Sequence, residues 1–164
     1  MGRALPGLFI YTMPMPSKID ETAARAAFEY ALAHYEQNFG TFFLAKLFGL
    51  EVTFPDDDTC LVTLDIKDFM FNPQGTLHGG VIAFVLDISM GHLLKKTIGA
   101  GMTLEMKTQY LRPARAGRIR AEGKFLKKGK SINYLETRMV DAEGNLLAAA
   151  SSTWQLLPQG AAAG

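Results

Sequence analysis

Asp87 is the only charged residue between Leu77 and Leu94, the histidines His78 and His92 aside. It follows Val81-Ile82-Ala83-Phe84-Val85-Leu86, a run that asks to be removed from water. Burying a carboxylate without partners costs several kcal/mol, so the acid is a misfit with the pattern around it. A carboxylate held in such surroundings is suited to proton transfer or nucleophilic attack. The alternative is a core carboxylate satisfied by backbone donors. Upstream lie His78-Gly79-Gly80 and, before them, Asn72-Pro73-Gln74-Gly75-Thr76. That pentapeptide is turn chemistry: a Pro that fixes φ, a Gly open to φ > 0, and side chains that cap. These residues have plain readings as well. His78 can cap a helix, Asn72 can serve the turn, and Gly79-Gly80 can permit close packing. His92 has no evident partner and is read as structural, and His34 as a surface residue. Three scattered histidines and one cysteine, with no HxxxH or CxxC spacing, give no metal site and no cofactor.

The stretch carrying Asp87 needs an element that hides it. From Val81 to Leu94 no polar stripe survives, which predicts a helix buried on all sides. It is too short and too interrupted for a membrane span, which takes about 20 apolar residues. Before it, a helix is expected over 21–38, with Asp20 as N-cap and Gly40 after its end. Phe28, Leu32, Tyr35 and Phe39 form its one apolar stripe, read as packing surface. A short helix follows over 41–48. The period then changes. Cys60, Val62, Leu64 and Ile66 alternate with more polar positions, the mark of a half-buried strand, and 50–54 pairs with it across Pro55-Asp56-Asp57-Asp58. Four more strands are expected over 102–111, 117–127, 131–141 and 145–157. An antiparallel sheet must then curl around the apolar helix. Its open edge invites pairing with a second copy.

Composition sets the outer bounds. A chain of 164 residues, 48% hydrophobic and 20% charged, is one ordinary globular domain. Net charge is only +1, yet residues 112–130 hold eight Arg or Lys against one acid, Glu122, a local charge of +7. Such a segment suggests a phosphorylated or otherwise anionic partner; the alternative is a set of solvated strand and turn cations. No nucleic-acid motif or aromatic ladder accompanies it, with only Phe125 inside the segment, so no nucleic acid is expected. The lone Cys60 rules out an intrachain disulfide and suits a reducing compartment, so a cytoplasmic location is expected. Residues 1–19 make a poor signal peptide and are read as an extended arm. The organisation expected is an N-terminal arm and helical extension over 1–49, a main domain over 50–157, and a tail over 158–164.

Asn72-x-x-Gly75-x-x-His78-Gly79-Gly80, then Leu86-Asp87 and Gly91, resembles the signature of hotdog-fold acyl-CoA thioesterases of the PaaI-like type. Tyr110-Leu111-Arg112-Pro113-Ala114, Gly117, Lys128-Gly129-Lys130 and the closing Asp141-Ala142-Glu143-Gly144-Asn145-Leu146-Leu147-Ala148 extend the likeness over residues 50–157. The resemblance implies an α+β hotdog fold and hydrolysis of an acyl-CoA. It implies Asp87 as nucleophile or general base, and the Gly79 N–H as donor to the thioester carbonyl. Asn72 and His78 would orient water, substrate or the helix start, and Thr103 holds a position where the family often has a hydroxyl. Gly80 would lie against substrate. Arg112, Arg115, Lys127, Lys128 and Lys130 would face the phosphates of coenzyme A. A non-catalytic acyl-CoA-binding protein and a hotdog dehydratase are the neighbouring readings. Gly79 and Asp87 lie about 12 Å apart along one helix and about 80° apart around it. One thioester cannot meet both on the same chain, so the expected assembly is a homodimer, or a dimer of dimers, with shared sites.

Overall fold

The computed structural model describes residues 18–158. The expectation for most of 1–19 and for the tail beyond 158 therefore falls outside the described residues. The chain runs α1 (Glu21–His34), α2 (Phe43–Phe48), β1 (Glu51–Thr53), β2 (Thr59–Asp65), a 3-10 turn (Asp68–Met70), α3 (Gly79–Thr97), β3 (Gly101–Tyr110), β4 (Arg118–Lys127), β5 (Ile132–Val140) and β6 (Leu146–Leu156). The strands form one antiparallel sheet of six in the order β1-β2-β4-β5-β6-β3. Helix α3 packs against β2 through β6, which is the α+β hotdog arrangement. At 19 residues it runs three past Leu94, and no helix among the described residues is long and apolar enough to cross a membrane.

Burial explains the apolar run. Val85, Leu86, Met90, Leu93 and Leu94 are wholly buried, facing Cys60, Val62, Leu64, Ile119, Leu135 and Met139 from the sheet. Each such leucine contributes roughly 1.5–3 kcal/mol relative to exposure. Helix and sheet meet backbone to backbone at Ser89. There the Ser89 hydroxyl donates to the Leu86 carbonyl at 2.7 Å and accepts from the Thr137 hydroxyl at 2.8 Å. A Cβ on Gly123 of β4 would stand 2.5 Å from the Ser89 carbonyl oxygen. Only a hydrogen at that position lets helix backbone and strand backbone meet.

The N-terminal extension departs from its pattern. Asp20 caps α1 as expected, accepting from the Ala23 N–H at 3.0 Å. The helix ends at His34 rather than 38, because Tyr35 turns extended at φ −79°, ψ 149°. The backbone takes another set of bonds: the Glu36 N–H donates to the Thr41 carbonyl at 3.0 Å and the Asn38 N–H to the Glu36 carbonyl at 2.8 Å. Side chains brace this turn, Asn38 Nδ2 donating to Glu36 Oε2 at 2.8 Å and the Thr41 hydroxyl to Asn38 Oδ1 at 2.5 Å. Nor is the apolar stripe of α1 buried within this chain. Leu32 stays 53% exposed and Tyr35 45%, while Phe28 and Tyr35 meet Phe43 of α2 edge-on. Phe42 and Phe48 anchor the unit on Phe84 of α3. Helix α2 starts at Phe43, two residues late, and closes at Gly49, whose φ is 68°.

The contact at Gly123 is open to measurement. Gly123→Ala adds a methyl where backbone already stands, and overpacking of this kind costs about 1–3 kcal/mol. Urea unfolding should show a lower midpoint with an unchanged slope.

Candidate active site

The start of α3 can be followed donor by donor. A helix leaves its first four N–H groups without intrahelical acceptors. Here the His78 carbonyl accepts from Val81 at 2.9 Å and Ile82 at 3.1 Å, and His78 Nδ1 accepts from the Gly80 N–H at 2.9 Å. Among the described residues no acceptor takes the Gly79 N–H, so it alone of the first turn stays open to a ligand. His78 thus caps the helix, and Gly80 is committed to that cap.

Asn72 is occupied in the preceding turn. Its Oδ1 accepts from the N–H groups of Gln74 at 3.0 Å and Thr76 at 3.2 Å, and its Nδ2 donates to the Thr76 hydroxyl at 2.8 Å. Gly75 supplies the turn's positive φ of 72°. Tyr110, at the end of β3, reaches back and donates to the Gly79 carbonyl at 3.2 Å. Gly79, Asn72, Thr76, Tyr110 and Arg112 line one cavity of about 270 Å³.

Asp87 lies elsewhere. It lines a second cavity, of about 430 Å³, with Thr103, His92, Trp154, Met102, Phe39 and Phe42. The Thr103 hydroxyl donates to Asp87 Oδ1 at 2.9 Å. That contact needs an irregularity. Simple alternation would put Thr103 on the face of Glu105, Lys107 and Gln109. A bulge between Thr103 and Glu105 resets the count, so that Thr103, Met106, Thr108 and Tyr110 oppose the buried Trp154, Ser152, Ala150 and Ala148 of β6. Both ends of β3 then turn a hydroxyl to the helix, Thr103 at Asp87 and Tyr110 at Gly79. Gly91 completes the wall, since a Cβ there would press on the Trp154 ring at 2.8 Å.

Burial pushes the Asp87 carboxyl above its ordinary range, and the Thr103 bond draws it part of the way back. Sequence reasoning missed three parts of this cavity. His92, read as structural, is 7% exposed and lines it. Phe39 and Phe42 come from the extension, whose role the pattern left open. Trp154 arrives from a strand remote in sequence. The aromatic content of 28–43 was the one visible signal.

The basic segment is dispersed. Arg118 pairs with Asp65 at 2.8 Å and Glu51 at 3.3 Å, Lys124 pairs with Glu122, and Lys128 with Asp58. Lys127 and Lys128 share a surface hollow with Asp56, Asp57 and Asp58. Lys130 stands with Lys95 in a cavity of about 760 Å³, and Arg112 belongs to the Gly79 cavity. Arg115 lines none of these. The +7 of the linear segment is therefore not one surface patch.

A profile of the Thioesterase superfamily matches residues 74–148. Among curated proteins, "Putative esterase SSO2140" of Saccharolobus solfataricus is 32% identical over 115 residues, 68% of this chain and 81% of its own length. The medium/long-chain acyl-CoA thioesterase YigI of Escherichia coli is 26% identical over 99 residues, 51% of this chain and 64% of its own. The chain thus spans just under two thirds of that relative. The crystal structure of the BH2602 protein of Bacillus halodurans with CoA superposes with a TM-score of 0.78 at 22% identity, over 87% of this chain and 96% of that one.

The charge on Asp87 makes a stability prediction. A carboxyl whose folded pKa lies above its unfolded value of 3.8 favours folding below that value, and the gain is lost as pH rises through the folded pKa. Asp87→Asn removes this cost and keeps an oxygen for Thr103. Its Tm should match wild type below about pH 3.8 and exceed it as pH rises, the difference levelling off once pH passes the folded pKa.

Proposed function

Because the chain belongs to the thioesterase superfamily, we propose that it hydrolyses an acyl-CoA thioester to the free acid and coenzyme A. The observation that carries this reading is the half-buried Asp87, bonded to Thr103 at the wall of a cavity of about 430 Å³ lined by Phe39, Phe42 and Trp154. An apolar acyl group fits such a lining, and a carboxylate beside it can act on the thioester carbon. As general base, Asp87 takes a proton from water while the oxygen bonds to the carbonyl carbon. The C–S bond then breaks and the thiolate of coenzyme A leaves, to be protonated. As nucleophile, the carboxylate itself bonds to the carbon, the C–S bond breaks to release the same thiolate, and water hydrolyses the resulting anhydride. In both routes negative charge builds on the carbonyl oxygen, where an open helix N-terminal N–H stabilises it. Gly79 carries that N–H. His78 and Asn72 hold the helix start in place. Thr103 orients Asp87 and favours its ionised form. Coenzyme A phosphates are assigned to cations without an ion pair among the described residues, Arg112, Arg115, Lys127 and Lys130. The Lys128 ammonium is already held by Asp58. The cytoplasmic location expected from the lone cysteine agrees with such a substrate.

The test is a hydrolysis screen over acyl-CoAs, read by free thiol, with wild type and Asp87→Asn. The variant keeps the shape and lacks base and nucleophile, so kcat should fall at least about a hundredfold with little change in substrate affinity. A folded variant of near-normal turnover would remove Asp87 from the chemistry. Tight binding across the panel with zero turnover by wild type would favour an acyl-CoA-binding protein instead.

The site is read as shared between two copies. Gly79 and Asp87 open into different cavities of one chain. Strand β3 is an unpaired edge of the sheet and leaves Met102, Leu104, Tyr110 and Leu111 about half exposed, an edge suited to pairing with its own copy. Antiparallel pairing about a two-fold axis at Lys107, counted across the bulge, sets Thr103 opposite the partner's Tyr110. Asp87 then faces Gly79 of the partner subunit. The check is to refold Asp87→Asn and Gly79→Pro together. Proline suits the first position of a helix, and Gly79 is not among the glycines of positive φ. Random pairing gives half mixed dimers with one intact site each, so about a quarter of wild-type activity should return. No recovery from demonstrably mixed, folded dimers would confine both residues to one chain.

A further inference from the structure

His92 is the buried titratable group in the Asp87 cavity that the chemistry leaves unused. It is 93% removed from solvent, and its Nε2 finds no hydrogen-bond partner among the described residues. The ring stands edge-on to Phe39, with centroids 5.4 Å apart. Its other nitrogen bonds the backbone carbonyl of Ile88, one turn back on α3. A carbonyl only accepts, so that nitrogen, Nδ1, carries the proton. In a neutral ring Nε2 is then a bare lone pair. Burial keeps the ring neutral by holding its pKa below the ordinary value, against the Ile88 bond.

A buried acceptor beside the aromatic part of the cavity wall discriminates among ligands. Water can satisfy it in the free protein, and an acyl group entering the cavity displaces that water. A purely apolar acyl group leaves Nε2 desolvated and unpaired, which opposes binding. A hydroxyl restores the bond. An oxygen that only accepts does not. His92 lies five residues beyond Asp87, about 7.5 Å further along the helix axis, so the matching hydroxyl belongs several bonds from the thioester carbonyl.

Building on the thioesterase reading, we propose that His92 is a specificity-determining residue that selects acyl groups carrying a hydroxyl at the far end of an apolar body. The hydroxyl donates to Nε2 while the body packs between Phe39, Phe42 and Trp154. An aliphatic chain and an aromatic ring both present this chemistry, and the test separates them.

The experiment compares kcat/KM for matched acyl-CoAs in three forms, unsubstituted, hydroxylated and methyl ether. One set is aliphatic with the substituent at the chain terminus, and one is aromatic with it on the ring. Wild type should prefer the hydroxylated member of at least one set by about 3–10-fold, the range of one net hydrogen bond. The methyl ether, which has the oxygen and no donor, should gain nothing. His92→Phe should abolish the preference and hold or raise kcat/KM for the unsubstituted substrate, an effect that a merely structural histidine does not produce. His92→Gln, which keeps an acceptor, should restore part of the preference and covers the case in which His92→Phe fails to fold. Turnover with no hydroxyl preference in either set, or a preference that survives in every folded His92 variant, overturns the role of His92 and leaves the thioesterase reading intact. If wild type turns over none of the panel, the thioesterase reading falls. The same triplets measured for binding by calorimetry then decide His92 by the same criteria.

Discussion

The architecture depends on how closely α3 can lie against the sheet. At Gly123 the Ser89 carbonyl occupies the place of a side chain, and beside it the Ser89 and Thr137 hydroxyls bond at 2.8 Å. This approach sets the height of the helix over β4 and β5. From it follows the distance to β3, where Thr103 reaches Asp87 and Tyr110 reaches Gly79. A larger residue at 123 would raise the helix and disturb both contacts at once. Packing and site geometry are therefore one constraint, with glycine and hydroxyl residues at its centre rather than the large apolar side chains that supply most of the burial energy.

Polarity is distributed to the same end. Cations of the basic segment that meet acids across the sheet, such as Arg118 with Asp65 and Glu51, are exposed pairs that solvent screens, so they add little to stability. Inside, polar groups are few and nearly all spoken for. Asn72 serves its turn and His78 its helix. Asp87 has one hydroxyl donor and His92 one backbone acceptor, so each faces the cavity with unspent capacity. Those two are the points at which contact with substrate is proposed. The walls around them come from the N-terminal extension as well as from the sheet, which gives the early loop after α1 a part in the site that its position in sequence does not announce.

Much was legible in the sequence because it is written in local periods. The unbroken apolar run predicts the buried helix, alternation predicts the strands, and Asp87 stands out against both. The turn and cap before Gly79 are also local, since Asn72, Gly75 and His78 act on backbone within four residues of themselves. Even the conflict between Gly79 and Asp87 follows from helix rise alone. The end of α1 was misjudged because Glu36, Asn38 and Thr41 draw the backbone into a competing turn. Periodicity does not count such bonds.

The remainder was decided by residues far apart in the chain. Thr103 meets Asp87 only because a bulge in β3 reverses the alternation that its sequence suggests. His92 looks inert as one more residue on an apolar helix, and becomes an open acceptor only when Phe39 and Trp154 close a cavity around it. The +7 segment reads as one charged surface, and strand pairing cancels or scatters it, as with Lys128 on Asp58. Sequence alone thus determined the elements, the misfit acid and the helix start, because backbone propensity and period act over a few residues. The tertiary structure decided which groups share a cavity, because that depends on the register of strands and on side chains brought together from distant parts of the chain.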